Sequence, residues 1–193
     1  MRIGIFGGCF NPPHNMHKNI ALRLIEDNYL DKVIFVPTSN YYNKRNLIND
    51  EERYKLIKLM IQGNDNLEVS KYEFGKLTYT YQTLEHFQKK YEDDEIYFIC
   101  GSDNLAEIDT WREYEIILSN FKILVIKRGN DDLGEIMKKY KKYENNIIIA
   151  NIEEDVLSST FIRNMLKDGK FDLIKDKIDK NVYLYIMKEK LYY

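Results

Sequence analysis

The sequence predicts an α/β fold: a doubly wound, mainly parallel sheet of five or six strands with flanking helices. Short apolar runs alternate with longer segments of helical period, which is the pattern of successive βαβ units. Two of the runs, 96–100 and 123–126, are almost continuously apolar, as strands covered on both faces are. The length of 193 residues suits a single domain, 1–193, in which 157–193 forms a small helical C-terminal part.

The individual elements are predicted from periodicity and from capping residues. Strands are expected at 2–6, 32–37, 67–73, 95–100, 122–128 and 146–152. Helices are expected at 19–28, 50–62, 80–91, 131–143 and 159–167. The helix at 50–62 follows Asn49, which has capping-box spacing to Glu52, and the helix at 159–167 follows Ser158. In a parallel sheet of this kind, ligands bind at the carboxyl ends of the strands.

Composition excludes several classes of protein. The 31 acidic and 29 basic side chains give a formal net charge of −2, which provides no broad electrostatic footprint for nucleic acid. The two cysteines, Cys9 and Cys100, make no disulfide framework, which is typical of a reducing cytoplasm. No apolar run reaches the roughly 18 residues of a membrane span. We therefore expect a cytoplasmic protein with no nucleic-acid or membrane partner. The oligomeric state is left open, a homo-oligomer included.

Scarce residue types concentrate between positions 4 and 17. This segment holds two of the 3 prolines, two of the 3 histidines and three of the 9 glycines of the chain. Gly7 and Gly8 follow the first strand and let backbone N–H groups approach a phosphate closely. His14 and His17 share a face of the first turn of a helix whose N-terminus favours an anion. The segment therefore predicts a phosphate cradle with two adjustable donors.

This segment also has two other interpretations and lacks one familiar motif. Paired glycines and prolines also make tight turns, but two histidines at helical spacing directly after a first strand favour the phosphate site. A metal site built on Cys9, His14 and His17 lacks an evident fourth ligand, so no metal ligand is assigned. The glycines do not have the G-x-G-x-x-G spacing, which argues against a nicotinamide-dependent dehydrogenase.

The segment 7–17, GGCFNPPHNMH, resembles the GG-x-F-[ND]-P-x-H-x-x-H signature of the nucleotidyltransferase superfamily. It is most similar to the bacterial nicotinate-mononucleotide adenylyltransferases. The resemblance implies a Rossmann-like sheet and the transfer of AMP from ATP to nicotinate mononucleotide. The products would be deamido-NAD and pyrophosphate, in a step of NAD biosynthesis. ATP would bring Mg²⁺, held mainly by its phosphates and by water.

A second phosphate motif stands near the C-terminus. Residues 157–163, LSSTFIR, resemble the I-S-S-T-x-I-R motif of the same family. Independently of the resemblance, Ser158 is a favoured N-cap, the next two residues offer hydroxyls in the first turn, and Arg163 lies one turn later on the same face. An ordinary capped helix is the alternative. Paired with the first loop, this motif predicts the other half of a triphosphate clamp.

The resemblance also implies a role for each site residue. The catalytic residues would be His14, His17 and Arg163. The ATP contacts would be Gly7, Gly8, Cys9, Phe10, Lys44, Gly101, Asp103, Ser158, Ser159 and Thr160. The acceptor would contact Thr80, Thr83, Trp111 and Arg128. In this assignment Asp103 holds the ATP ribose, Trp111 stacks on the pyridine ring and Arg128 meets the acceptor phosphate. For Trp111, the only tryptophan, core packing is the alternative.

The chain departs from the family pattern at Met16, Asn43, Gln82 and Arg112. Met16 stands where glycine is usual, Gln82 where an acidic residue is usual, and Arg112 where an aromatic residue is common. The loop at 38–46, which could act as a lid, keeps only Lys44 of the usual P-P-H-K. These departures leave other acceptors open: nicotinamide mononucleotide, phosphopantetheine, or the substrate of a CTP-using relative. A non-catalytic nucleotide-binding module is the alternative from another class.

The expected chemistry needs no catalytic base. The acceptor phosphate has a second pKa near 6, so at neutral pH it is already largely a dianion. Catalysis would therefore consist of aligning the acceptor oxygen with the α-phosphorus and stabilising charge on the phosphates.

Overall fold

The computed structural model describes residues 1–42, 47–129, 131–152 and 157–193. Six strands form one parallel sheet in the order β3-β2-β1-β4-β5-β6. Their bounds are β1 Arg2–Gly8, β2 Lys32–Pro37, β3 Leu67–Val69, β4 Glu95–Gly101, β5 Lys122–Ile126 and β6 Ile147–Ala150. Strand order reverses between β1 and β4, so the sheet is doubly wound and Rossmann-like, and the predicted fold class is confirmed.

Eight α-helices lie within the described ranges. Their bounds are α1 Asn15–Glu26, α2 Asp50–Ile61, α3 Thr80–Lys90, α4 Ser102–Ala106, α5 Tyr114–Asn120, α6 Leu133–Lys139, α7 Ser159–Lys167 and α8 Lys180–Glu189. The helix predicted from residue 19 begins at Asn15, and the one predicted at 131–143 is α6 followed by a 3₁₀ segment, Lys141–Asn146. Helices α4 and α5 were not predicted, because 5 and 7 residues are too few to show a helical period.

Strand ends differ from the prediction where pairing begins or stops. Strand β1 runs to Gly8, because its last two residues pair with Val36 and Pro37 of β2. Strands β3, β5 and β6 are shorter than predicted, since their flanking polar residues have no partner strand in register. Lys127 and Arg128 therefore follow β5 at its carboxyl edge, the edge at which ligands bind.

Two apolar layers cover the sheet. Helices α1, α2, α7 and α8 pack on one face, and α3, α4 and α5 pack on the other. Gly4 in β1 is required by packing, since a Cβ there would lie 2.4 Å from Leu30 Cδ1 and 2.7 Å from Ile99 Cδ1. Across the described ranges, no helix has the length and apolar character needed to cross a bilayer.

Candidate functional site

A cleft of about 740 Å³ opens at the carboxyl ends of β1 and β4, where the strand order reverses. Most of the predicted site residues line it: Gly7, Gly8, Cys9, Phe10, His17, Thr80, Thr83, Gly101, Asp103, Trp111, Arg128 and Ser159. Four predicted residues lie next to these but do not line the cleft: His14, Ser158, Thr160 and Arg163. Lys44 and Asn43 lie outside the described residues.

The first loop leaves its backbone open to the cleft. A Cβ on Gly7 would meet no atom within 4 Å, so the missing side chain leaves free space beside the loop. The ring of Phe10 packs against Gly8, and a Cβ on residue 8 would lie 3.0 Å from this ring. Phe10 has φ of 45°, in the left-handed region that side chains rarely adopt, and its ring is buried against Phe6 and Phe35. Burial of the ring therefore holds the loop in an uncommon backbone conformation.

The two histidines form a stacked pair at the start of α1. Their ring centroids are 3.7 Å apart, with planes inclined by 28°. The backbone N–H of His14 donates to Nδ1 of His17 at 3.1 Å. Because Nδ1 accepts this hydrogen bond, the neutral His17 ring carries its proton on Nε2. His17 therefore reaches the cleft as a hydrogen-bond donor.

Burial keeps both rings neutral. Burial, and to a smaller extent the positive charge of Arg128, lowers the pKa of His14 to about 4. Burial, then His14 and Arg128, hold the pKa of His17 well below its usual range. Nδ1 of His14 is buried and has no hydrogen-bond partner among the described residues. An anionic phosphate would favour protonation of both rings, since a nearby negative charge raises a histidine pKa.

Helix α7 brings the second motif against the first loop. Ser158 caps the helix by accepting from the Phe161 N–H at 3.2 Å. Ser159 Oγ donates to the carbonyl of Pro12 at 2.8 Å, and Arg163 Nη1 donates to the carbonyl of Asn11 at 2.7 Å. The two segments that the sequence paired across about 140 residues are thus in direct contact. Their polar groups hold the loop backbone, and Arg163 Nη2 also donates to the Thr160 hydroxyl at 3.0 Å.

The turn after β4 forms a compact charged unit. Asp103 and Arg128 make an ion pair of 3.2 Å at the mouth of the cleft. Ser102 Oγ accepts from the Arg128 backbone N–H at 2.8 Å and donates to Asp131 at 2.6 Å. A Cβ on Gly101 would lie 2.2 Å from Asp103 Oδ1 and 2.6 Å from Arg128 Nε. Glycine is therefore required here for the pair to fold over the strand end.

Trp111 lies at the other end of the cleft and is partly buried. Its ring packs edge-to-face on Phe98, with centroids 6.0 Å apart and planes inclined by 64°. It also lines the cleft, so core packing and ligand contact are compatible in this position. Thr80, the first residue of α3, also lines the cleft, whereas the Thr83 hydroxyl is buried and donates to Glu73 at 2.8 Å. The Thr83 hydroxyl proton is therefore committed to Glu73.

The comparisons with known proteins agree with this geometry. The cytidylyltransferase-like family matches residues 5–165 of the chain. The chain belongs to this family. It is 39% identical to a probable nicotinate-nucleotide adenylyltransferase of Clostridium acetobutylicum, over 97% of both chains. It is 36% identical to the protein of that name in Acholeplasma laidlawii, over 97% of this chain and 96% of the other. It is thus a nucleotidyltransferase of the nicotinate-nucleotide adenylyltransferase group.

Solved structures share the fold. Plasmodium falciparum nicotinic acid mononucleotide adenylyltransferase, complexed with NaAD, superposes with a TM-score of 0.83 at 23% identity, covering 99% of this chain and 97% of the other. A putative nicotinate-nucleotide adenylyltransferase from Vibrio parahaemolyticus gives a TM-score of 0.70 at 26% identity, over 99% and 94% of the two chains. The fold of this nucleotidyltransferase is therefore that of its group.

Two departures from the family pattern have structural explanations. The Gln82 side chain accepts from the Tyr79 backbone N–H at 3.0 Å, the task that an acidic residue also performs in a capping box. Met16 packs against the core layer of α1 and does not line the cleft. Among the departures that the structure describes, Arg112 is the one that lines the cleft, and its guanidinium lies 4.9 Å from the centre of the Tyr79 ring.

Sequence reasoning missed two functional candidates in this nucleotidyltransferase. Glu73 is a buried carboxylate that lines the cleft, and it falls at the end of the segment predicted as the third strand. Arg53 is completely buried under the first loop. It stands three and four residues before Leu56 and Ile57, on the apolar face of α2, and a charge on an apolar face was the available signal.

Proposed function

We propose that this chain transfers AMP from ATP to nicotinate mononucleotide, giving deamido-NAD and pyrophosphate in NAD biosynthesis. The observation that carries the proposal is the contact between the first loop and the start of α7 beside the cleft at the β1–β4 switch point. Relatives of the same group match along the whole chain. The cleft volume of about 740 Å³ is within the range of small-molecule sites.

The reaction exchanges one phosphorus–oxygen bond for another. An oxygen of the acceptor phosphate attacks the α-phosphorus of ATP, and the bond to the β-phosphate oxygen breaks, so that pyrophosphate leaves. The acceptor is already largely a dianion, and no proton has to be removed from it. The chain therefore acts by alignment and by stabilising charge on the phosphoryl oxygens.

The donor phosphates would lie along the first loop. Nε2 of His17 is placed as a donor at this end of the cleft. His14, stacked on the His17 ring, would lie near the α-phosphate. The β- and γ-phosphates would be bound by Ser159, Thr160 and Arg163. Lys44, in the part of the chain that is not described, is a further proposed phosphate contact. Mg²⁺ would arrive with ATP, held by phosphate and water oxygens; the described residues form no cluster of three or more potential metal ligands.

The nucleoside of ATP and that of the acceptor would bind to different parts of the cleft. We assign the ATP ribose to Asp103 and the acceptor phosphate to Arg128, which the ion pair keeps together at the cleft mouth. The pyridine ring would stack on Trp111 beside Thr80. A nicotinate carboxylate needs a cation or amide donors, and the Arg112 side chain lines that end of the cleft.

Pyrophosphate release with a panel of acceptors tests the proposal. We expect turnover with ATP and nicotinate mononucleotide, and formation of deamido-NAD identified by mass. Nicotinamide mononucleotide, phosphopantetheine and CTP in place of ATP are the comparison arms. Faster turnover with another acceptor would identify that compound as the acceptor in place of nicotinate mononucleotide. Faster turnover with CTP would identify CTP as the nucleotide donor in place of ATP. Binding of ATP by calorimetry without pyrophosphate release in any arm would identify a non-catalytic nucleotide-binding module.

A further inference from the structure

The most completely buried charged group of the described chain lies directly under the first loop. The side chain of Arg53 has no solvent exposure. Its guanidinium donates to the carbonyls of Cys9 at 2.9 Å, Thr38 at 2.6 Å and Ile48 at 3.2 Å. It also donates to the side chains of Asn40 at 2.6 Å and Asp50 at 2.5 Å. Such a set of acceptors matches the fixed fork of donors that only arginine provides.

These bonds join three separate segments at one point. Cys9 belongs to the loop that follows β1, Thr38 follows β2, and Ile48 precedes α2. The Ile48 N–H in turn donates to the side chain of Asn11, at 3.3 Å, two residues beyond Cys9. The loop is therefore attached to the beginning of α2 through both its backbone and a side chain.

The bond to Cys9 falls where the loop backbone is least relaxed. The next residue, Phe10, has φ of 45°. A residue in the left-handed region keeps that conformation only when its surroundings enforce it. Burial of the Phe10 ring restrains the loop from one side, and the Arg53 bond to the preceding carbonyl restrains it from the other.

The direction of the carbonyls matters for an anion. A loop binds phosphate through its N–H groups, and carbonyl oxygens turned toward the phosphate would repel it. The carbonyls of Cys9, Asn11 and Pro12 are each held by a side-chain donor: Arg53, Arg163 and Ser159. Arg53, on α2, thus completes the set that Ser159 and Arg163 of α7 begin.

We propose that Arg53 is a positioning residue for the ATP phosphates, acting through the Cys9 carbonyl to keep the first loop in its anion-binding conformation. The proposal rests on the proposed function for the identity of the anion. It assigns Arg53 to the donor nucleotide and gives it no part in acceptor binding, since its bonds all lie on the side of β1, β2 and α2.

Arg53→Lys tests the proposal, because lysine keeps the charge and loses the fork. We expect the dissociation constant of ATP, measured by calorimetry without acceptor, to rise about tenfold, as for loss of one charge-assisted hydrogen bond. The KM of the acceptor should stay within about twofold of the original. Should Arg53→Lys fail to fold by circular dichroism, Asn40→Ala decides: it removes one exposed acceptor of the same guanidinium, and the ATP constant should rise about two- to threefold.

Arg2→Lys is the matched control. Arg2 also holds a backbone carbonyl, that of Asn28, and an aspartate, Asp31, but at the amino end of β1, far from the cleft edge. It should lower stability without changing ATP affinity. Equal ATP constants in the Arg53, Asn40 and parent proteins, or a loss shared by Arg2→Lys, would overturn the positioning role. ATP affinity is read without turnover, so an unexpected acceptor would not obscure the result.

Discussion

The stacked histidines are neutral, and this sets how they can act. Burial lowers the pKa of both rings, so at neutral pH they are uncharged in the free protein and each has one donor and one acceptor nitrogen. The tautomer of His17 is fixed by the backbone N–H of His14, which directs a proton to Nε2. A triphosphate brought next to the rings would favour their protonation, coupling binding to proton uptake.

His17→Ala should lower kcat about 100-fold or more, the size expected for removing one charge-stabilising donor. His14→Ala should act in the same direction. The measurement is pyrophosphate release at saturating ATP and acceptor, with circular dichroism to check the fold. His86→Ala is the control, because His86 stacks on Tyr72 outside the cleft. If His17→Ala turned over at close to the rate of the parent protein, the assignment of His17 to the phosphate site would be wrong.

Trp111 is the single tryptophan and lines the cleft, so tryptophan fluorescence reports on the part of the cleft to which we assign the acceptor. Titration with nicotinate mononucleotide should quench the emission, since a stacked pyridine ring replaces water on the exposed part of the indole. Trp111→Ala should raise the acceptor KM about tenfold or more and leave ATP affinity unchanged. An unchanged acceptor KM would mean that Trp111 serves only the packing against Phe98.

At the scale of elements, the start of α1 is the part of the site that sequence periodicity placed least well. The apolar period begins near residue 19, but the helix begins at Asn15, and its first turn carries His17. His14 is the N-cap, an unusual choice that the His17 ring supports by accepting from its N–H. The Asn15 N–H donates to the Lys177 carbonyl at 3.0 Å, a contact with the C-terminal part that no local pattern indicates.

The buried ring of His14, the N-cap of α1, makes stability depend on pH. In the unfolded chain His14 takes up a proton near its ordinary pKa of 6.5, whereas in the fold it does so only at about 4. Between these values the unfolded state binds more protons, so stability is complete above the unfolded pKa and is lost as pH falls. His17 contributes in the same direction.

We therefore expect the free energy of unfolding to fall between about pH 7.5 and about pH 5, with His14 contributing about 2 kcal/mol of the loss. The measurement is urea unfolding of the parent protein and of His14→Gln at both pH values. Carboxylates contribute equally in both proteins, so the difference isolates the histidine. Identical pH slopes would show that the His14 ring is not held neutral by burial.

At the scale of the whole molecule, the site depends on residues far apart along the chain. The first loop is hydrogen-bonded to α7, and residues near the C-terminus pack against the same apolar layer as α7. Tyr192 packs against the core layer of α1 and α2. Its hydroxyl is buried, near the charges of Arg53 and Arg163, and has no hydrogen-bond partner among the described residues. A buried hydroxyl without a partner costs free energy that its removal returns.

Tyr192→Phe should accordingly leave the free energy of unfolding unchanged or raise it by about 1 kcal/mol, as measured by urea unfolding. Tyr185→Phe is the matched comparison. Its hydroxyl donates to Glu52 at 2.9 Å, so this variant should lose about 1 kcal/mol. A clear loss of stability in Tyr192→Phe, equal to that in Tyr185→Phe, would mean that the Tyr192 hydroxyl has a partner such as a bound water.

The class of the sheet, the strand that leads into the first loop, and the two segments that we propose bind phosphate could all be predicted from the sequence. These follow from local physics: apolar period, glycines that admit a phosphate, and hydroxyls at a helix start. Only the tertiary structure decided that Ser159 and Arg163 hold the carbonyls of the first loop, that the Thr83 hydroxyl serves Glu73, and that Arg53 lies beneath Cys9. Each of these bonds joins residues distant in sequence, and their geometry exists only after the sheet has brought its carboxyl ends together.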